Sequence, residues 1–124
     1  MHRLRRAFAG RFRGGPGIDF AVTALRDMEL TVVNERSQVP PFALAGGGTG
    51  RCNQVLVHAP DGSVQRHTKV TGLHVPEGSR IEVRTGGGAA YGPPGERPAE
   101  AVHADIDAGY LTEAGARAQY PHAF

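Results

Sequence analysis

The side chains able to ligate a metal or act as nucleophiles are few in this chain and widely spaced. There is one cysteine, Cys52, and the six histidines show no H-E-x-x-H or other usual ligand spacing. A solitary cysteine beside a predicted strand is typical of a small apolar side chain rather than of a nucleophile. The sequence therefore predicts no catalytic residue and no metal site on this chain alone. A metal site completed by a partner chain, with Cys52 or a histidine as a ligand, stays open.

Two glycine-rich segments raise the question of phosphate binding. Residues 46–50 (Gly-Gly-Gly-Thr-Gly) lack the Lys-Ser/Thr ending of a P-loop, and no helical pattern follows them. Residues 85–94 (TGGGAAYGPP) contain no lysine and no G-x-G-x-x-G spacing, and Tyr91 is their only bulky side chain. The pattern predicts no cofactor site here. It favours loops whose backbone approaches other groups closely, or loops contributed to a partner's cleft.

A lysine and a pair of acids are the remaining candidates for chemistry. Lys69 lies within a strand pattern, whereas attachment of biotin or lipoate requires an exposed lysine at a hairpin turn. Asp105 and Asp107 are two residues apart on a predicted helix, so they do not share a face. We expect both carboxylates to be solvated, with Arg97 and Arg117 as ion-pair partners.

Composition indicates one β-rich domain. At 124 residues the chain has the size of a single domain, and its 18 glycines and 9 prolines indicate many turns between short strands. Aromatic residues make up only 6%, so the core has to come from Val, Leu, Ile and Ala. No apolar run approaches the ~20 residues of a membrane span. The single cysteine is typical of a reducing compartment, and we expect a cytoplasmic protein.

The basic charge is concentrated at the start of the chain. Residues 1–13 hold five arginines and no acid, whereas the rest holds nine basic and twelve acidic residues. Residues 1–17 are therefore predicted to form a basic arm that is solvated or contacts a partner subunit. A targeting role for the arm stays open. Binding of nucleic acid through it is a weaker alternative, because no recognition motif is present and the rest of the chain is acidic.

Short strands are predicted through the middle of the chain. Apolar and β-branched runs predict strands at residues 21–25, 29–33 and 80–84, a hairpin of residues 53–58 and 64–70 about the turn 60–63, and a further turn at 73–78. If the hairpin is centred between Asp61 and Gly62, His58 lies opposite Gln65. In the strand at 80–84, Ile81 and Val83 are expected to face inward.

The predicted fold class is α+β, a β-rich domain of short antiparallel strands with a C-terminal helical hairpin. Helical spacing of apolar residues begins after Pro98, Gly109 can end the first helix, and Thr112 can cap the second. We expect a single domain with a basic arm (1–17), a β-rich body with glycine loops (18–97) and a helical tail (98–124).

The glycine segment and the tail resemble the C-terminal part of the hydantoinase B/oxoprolinase family. Residues 85–102 are similar to the family signature TPGGGGYGDP-x-ER-x-P-x-x-V. Residues 105–120 are similar to its last segment, D-V-x-x-G-x-x-(S/T)-x-x-A-A-R-x-x-Y. Residues 13–17 and 35–47 match weaker family segments, and Lys69 falls where the family commonly has lysine. The resemblance extends over nearly the whole chain.

This resemblance implies a subunit of a larger enzyme. Family members of this type are several times longer, so we expect a separately encoded small chain equivalent to their C-terminal part. The arrangement is similar to that of acetophenone carboxylases, ATP-dependent and biotin-independent ligases that convert acetophenone and bicarbonate to benzoylacetate. The implied partners are larger hydantoinase A-like and hydantoinase B-like subunits in a hetero-oligomer, with ATP and a divalent metal bound elsewhere in the complex. The small subunit of a hydantoinase- or oxoprolinase-type ATP-dependent hydrolase is the alternative.

The departures from the family pattern affect the predicted role. Pro93 stands where the signature has aspartate, residues 87–90 are Gly-Gly-Ala-Ala in place of four glycines, and Phe42 replaces a tryptophan. The resemblance therefore implies a non-catalytic structural subunit that completes the fold of a larger hydantoinase B-like chain. Its candidate subunit-docking residues are Arg11, Arg13, Phe42, Tyr91, Tyr110 and Tyr120.

Overall fold

The computed structural model describes residues 2–124, in which short strands alternate with glycine-rich loops. The strands are β1 (His2–Leu4), β2 (Ile18–Thr23), β3 (Met28–Val33), β4 (Gln54–His58), β5 (Val64–His67), β6 (Lys69–Val75) and β7 (Arg80–Arg84). The helices are α1 (Ala99–Asp107) and α2 (Glu113–Gln119), with short 3₁₀ turns at Pro94–Glu96 and Pro121–Ala123. The predicted α+β class, with short antiparallel strands and two C-terminal helices, is confirmed.

The strands form two antiparallel sheets that share one core. In the larger sheet the order is β1, β2, β7, β4 and β5, and the smaller sheet pairs β3 with β6. Val32 and Val75 of the smaller sheet are buried together with Val55, Val57 and Ile81 of the larger one. The core between the sheets is thus aliphatic, as the low aromatic content predicts.

Most predicted strands are confirmed. The strands at 29–33 and 80–84 are β3 and β7, and Ile81 and Val83 lie on the core side of β7. The strand predicted at 21–25 is β2, which begins and ends earlier in the sequence. β-branched residues fill these strands because their side chains pack well on a pleated, half-buried surface.

The hairpin of β4 and β5 confirms the predicted turn and corrects its register. The Ala59 N–H donates to the Ser63 carbonyl at 2.8 Å, which closes a loop centred on Asp61. His58 consequently lies opposite Val64, one position away from the predicted partner. The predicted register was wrong because this loop holds an odd number of residues and is centred on a residue rather than on a peptide bond.

Residues 64–70, predicted as one strand, are divided between the two sheets. β5 belongs to the larger sheet and β6 to the smaller one, and the chain crosses between them at Thr68. β6 also continues through Val75, so the turn predicted at 73–78 begins only at Pro76. A single residue separates the two strands, so the sequence does not reveal that the chain changes sheet there.

The start of the chain is part of the body in the described residues rather than a separate arm. β1 pairs with β2 at the edge of the larger sheet, and the Arg5 N–H donates to the Gly17 carbonyl at 2.6 Å. The Arg5 side chain also lies 3.2 Å from the Asp19 carboxylate. The basic segment thus begins with the edge strand of the sheet, and composition does not reveal this backbone pairing.

The helical tail contains both predicted end signals. Gly109 has a φ of +76°, and the N–H groups of Gly109 and Tyr110 donate to the carbonyls of Ile106 and Asp105. This is a Schellman motif, whose positive φ suits glycine. Thr112 Oγ1 accepts a backbone N–H at 3.1 Å and caps α2. Neither helix of the described chain is long and apolar enough to cross a membrane.

Three glycine-rich segments, which we call the glycine loops, pack against one another; they are residues 10–17, 44–50 and 85–92. Phe12 and Tyr91 exchange two backbone hydrogen bonds of 2.9 Å. The Gly92 N–H donates to the Leu44 carbonyl at 3.1 Å, which ties the third loop to the second. These interloop hydrogen bonds hold the three segments as one layer beside the sheets.

The glycine loops approach so closely that a side chain at several positions has no space. A Cβ added to Gly14 would overlap the Gly88 carbonyl, and one added to Gly47 would overlap the Ala90 carbonyl. A Cβ at Gly15, by contrast, meets nothing within 4 Å. Glycine is therefore required at these crossings because it has no Cβ.

Replacement of one crossing glycine tests this packing. We expect Gly14→Ala to lower the free energy of unfolding by about 1–3 kcal/mol, because its methyl group displaces the Gly88 carbonyl. Gly15→Ala is the matched control and should leave stability unchanged or raise it by up to about 1 kcal/mol. Urea unfolding of both variants measures the difference. Equal stability of the two variants would contradict the close approach of the loops.

Candidate functional site

The glycine loops carry three large apolar side chains that are more than half exposed. Phe12, Leu44 and Tyr91 are 58%, 57% and 52% exposed. Tyr91 forms an antiparallel bridge with Phe12 and a parallel bridge with Leu44, and the rings of Phe12 and Tyr91 are 6.2 Å apart. Paired residues of neighbouring strands present their side chains on the same face. The three side chains therefore form one apolar patch, which we call the loop face.

Charged groups border the loop face. The Arg11 guanidinium lies 5.5 Å from the centre of the Phe12 ring, and its Nη1 is 3.6 Å from the Glu96 carboxylate. Phe42, which is 70% exposed, lies on the segment that leads into the second glycine loop. An apolar centre with a polar rim is the usual arrangement of a protein–protein interface.

A buried carboxylate, which with its two arginines we call the Asp105 clamp, holds the tail against the first glycine loop. Asp105 Oδ2 accepts hydrogen bonds from Arg13 Nε at 2.8 Å and from Arg97 Nη2 at 2.7 Å. All three side chains are largely buried, so these charge-assisted hydrogen bonds are little weakened by solvent. The prediction that Asp105 is solvated was wrong, although its partner Arg97 was predicted. Arg117 pairs instead with Glu113.

Arg97 and the tail also fix the backbone just before Phe12. Arg97 Nη1 donates to the Arg11 carbonyl at 3.1 Å, and the Tyr120 hydroxyl accepts the Gly10 N–H at 3.2 Å. Tyr120 is fully buried in the apolar cluster of the tail. Asp105, Arg97 and Tyr120, which are remote from Phe12 in sequence, therefore position this one of the three side chains of the loop face.

Two of the six predicted docking residues are largely buried within the chain. Arg13 binds Asp105, and its guanidinium lies 4.6 Å from the centre of the Tyr110 ring. Tyr120 is 0% exposed, so its side chain is not available to a partner. Contact with a partner stays a prediction for the residues whose side chains are exposed, which are Arg11, Phe42, Tyr91 and Tyr110.

Sequence reasoning missed Phe12 and Leu44 as members of the exposed patch. Phe12 stands as a lone aromatic residue between two arginines in a glycine-rich segment, and this setting was the available signal. Nothing in the sequence around Leu44 indicates that it pairs with Tyr91, because the two residues are joined only by the folding of separate loops.

A second charged cluster lies on the face of the larger sheet that points away from the core. Glu82 accepts hydrogen bonds from Arg84 Nε at 2.8 Å and from Arg80 Nη1 at 3.2 Å, and lies 3.0 Å from His58 Nε2. The pKa of Glu82 lies below its ordinary value, mainly because of the hydrogen bond from Arg84. Burial of the carboxylate acts in the opposite direction. The same contact raises the pKa of Arg84. Each of these charges already has a partner, so the cluster ties β4 to β7.

An open depression of about 440 Å³ lies between residues 35–39 and the start of β6. Lys69 Nζ is 2.9 Å from Glu35 in this depression, and the hydrogen bond lowers the pKa of Glu35. Within residues 2–124, no three His, Cys, Asp or Glu side chains gather as a metal-binding group. The described residues therefore offer no group of metal ligands. Their exposed apolar side chains are suited to binding another molecule.

Comparison with known sequences identifies what the chain is similar to. The profile of the Hydantoinase B/oxoprolinase family matches residues 6–94. The chain is 31% identical over 118 residues to the caprolactamase subunit beta of Pseudomonas jessenii. This match covers 90% of the chain and 20% of that subunit.

Comparison with solved structures agrees with the sequence matches. The crystal structure of the ATP-dependent caprolactamase from Pseudomonas jessenii aligns with 97% of this chain at a TM-score of 0.67 and 30% identity, which is 22% of that chain. The nucleotide-free structure of acetone carboxylase aligns with 96% of this chain and 20% of that one, at a TM-score of 0.55 and 17% identity, a likeness of fold. The chain thus spans about a fifth of the length of each of these proteins.

The Asp105 clamp can be tested by removing its negative charge. We expect Asp105→Asn to lower the free energy of unfolding by about 3 kcal/mol, because two buried guanidinium groups lose their counter-charge. Asp107→Asn, an exposed neighbour on the same helix, should change it by less than about 0.5 kcal/mol. Urea unfolding followed by circular dichroism compares the two variants, and similar losses in both would contradict the clamp.

Proposed function

The chain belongs to the hydantoinase B/oxoprolinase family, and on that premise we propose that it is a non-catalytic structural subunit of an ATP-dependent enzyme complex. In this role it completes the fold of a larger hydantoinase B-like chain. The observation that carries the proposal is the loop face, whose three large apolar side chains are each more than half exposed. The chain aligns over 97% of its own length with a caprolactamase chain but over only 22% of that chain.

The loop face is the proposed contact with the larger chain. Its three side chains are apolar, more than half exposed and held on loops whose backbone hydrogen bonds are made within the chain. A surface whose backbone is already paired binds through side chains, so a matching apolar surface is the partner that it fits. In these relatives about four-fifths of the length lies outside the part that this chain matches, and in this proposal the matching surface belongs to that part. The occupant we propose is therefore the hydantoinase B-like chain.

We propose that the other subunits carry out the chemistry of the complex. In this proposal the larger hydantoinase A-like and hydantoinase B-like chains hold ATP and a divalent metal, without biotin, and this chain contributes no ligand. The reaction we propose is the carboxylation of acetophenone by bicarbonate to benzoylacetate, on the strength of the sequence resemblance. ATP-dependent hydrolysis of a lactam or hydantoin is the second candidate, favoured by the 31% identity to the caprolactamase subunit.

Purification of the tagged chain from its own cells tests the assembly. We expect it to elute with a larger chain whose sequence, established by mass spectrometry, is hydantoinase B-like and lacks the part equivalent to this chain. Elution as a monomer with a sharp unfolding transition and no such chain would contradict the proposal. ADP release by the purified complex, with acetophenone plus bicarbonate or with caprolactam, then decides between the two reactions.

A substitution in the loop face tests its contact with the partner. Tyr91→Ala should weaken the assembly by about 2 kcal/mol, or ~30-fold, because a central aromatic side chain contributes much of the energy of an interface. Binding is measured by titrating each variant into the larger chains, after circular dichroism has shown that the variant is folded.

Leu25→Ala is the control for this measurement, because Leu25 is 85% exposed and lies outside the glycine loops. It should bind as the natural chain does. An equal effect of both substitutions would overturn the assignment of the loop face. An intact complex of the Tyr91→Ala variant with slowed ATP turnover would overturn its non-catalytic role.

A further inference from the structure

A small depression lined by arginines lies beside the edge strand of the larger sheet, away from the residues that form the loop face. It has a volume of about 250 Å³ and is lined by Leu4, Arg5, Arg6, Asp19 and Arg51. This volume is below the range typical of pockets for drug-sized molecules, which begins at about 300 Å³. The depression therefore has room for a small ion with some of its water.

The charges of this depression do not cancel. Arg5 Nε lies 3.2 Å from Asp19, so these two groups neutralise each other. Arg6 and Arg51 have no carboxylate within 4.0 Å among the described residues. Two positive charges are thus left without a counter-ion in one depression.

The depression is distinguished by two unpaired arginines that line it together. In the described part of the chain, Arg26, Arg36 and Arg66 also have no carboxylate within 4.0 Å, but they do not line the depression. Arg6 and Arg51 come from segments distant in sequence and share this one depression. The approach of like charges raises the free energy of the empty site, and a bound anion relieves this cost.

Two of the guanidinium groups are held in place by contacts within the chain. Arg5 is largely buried, and its Nη1 donates to the Thr85 carbonyl at 3.3 Å. The Arg51 guanidinium lies 5.4 Å from the centre of the Phe8 ring, a cation–π contact that orients it without neutralising its charge. Groups that are oriented before binding lose little entropy when a ligand arrives.

From these contacts we infer that the depression of Arg5, Arg6 and Arg51 is a binding site for a small oxyanion of the phosphate or bicarbonate type. The planar guanidinium group donates two parallel hydrogen bonds to such an anion and stays charged at all ordinary pH values. The Asp19 carboxylate opposes anion binding. Three guanidinium groups line the same depression, however, and only one of them is paired with Asp19. The inference does not depend on the proposed function.

Titration of the full chain with inorganic phosphate at constant ionic strength tests this site. We expect saturable binding, measured by calorimetry or by the NMR signals of the arginine side chains. Arg6→Gln and Arg51→Gln should each weaken it by about tenfold or more, because each removes one charge-assisted pair. Arg117→Gln removes the same charge at an exposed position elsewhere and should leave binding unchanged. Circular dichroism of each variant shows that it is folded.

Three results would overturn the inference. The first is the absence of saturable binding by the natural chain, and the second is an equal loss in the Arg117→Gln control, which indicates a general effect of net charge. The third is binding by the free chain that disappears in the assembled complex. That result would mean that a carboxylate of the partner, rather than a free anion, occupies the depression in the complex.

Discussion

The close approach of backbone to backbone in the three glycine loops is the constraint on which the rest of this structure depends. At the crossings of these loops a Cβ atom would overlap a carbonyl group, as at Gly14, Gly17 and Gly47. The loops satisfy their hydrogen bonds mutually, since Phe12 pairs with Tyr91 and Gly92 with Leu44. A high glycine content, which in isolation suggests flexibility, here produces a layer in which each loop fixes the next.

This layer needs support from outside, because loops held only by backbone hydrogen bonds have little apolar burial of their own. The tail supplies the support through Asp105, which binds Arg13 and Arg97, and through the buried Tyr120, whose hydroxyl accepts the Gly10 N–H. The Asp105–Arg13 and Tyr120–Gly10 contacts join residues 92 and 110 positions apart. The helical tail is therefore the part of the chain that holds the first glycine loop in place, and through it the loop face.

Sequence patterns predict the local features of this fold, but they do not predict the features that long-range contacts determine. The positive φ of Gly109 and the cap at Thr112 follow from chemistry within a few residues, and both were predicted. Asp105 was expected to be solvated because helical spacing tells which residues share a face and not which face is covered. The register at His58 differs by one position because loop size, rather than strand pattern, sets it. Of the candidate site, Tyr91 was predicted, whereas its bridge to Leu44 depends on a tertiary contact.

The distribution of aromatic side chains connects the fold to the proposed assembly. The core between the sheets contains Val, Ile and Ala, whereas Phe12, Phe42, Tyr91, Tyr110 and Phe124 are each more than 40% exposed. Aromatic side chains bury about 150–250 Å² each and have the largest apolar area to withdraw from water. Five of the eight aromatic side chains therefore keep a large part of that area in contact with solvent after folding, whereas Tyr120 is buried in the tail. The core between the sheets thus consists of smaller apolar side chains, and the exposed aromatic ones form surface that another molecule can cover, which supports an interface role for the loop face.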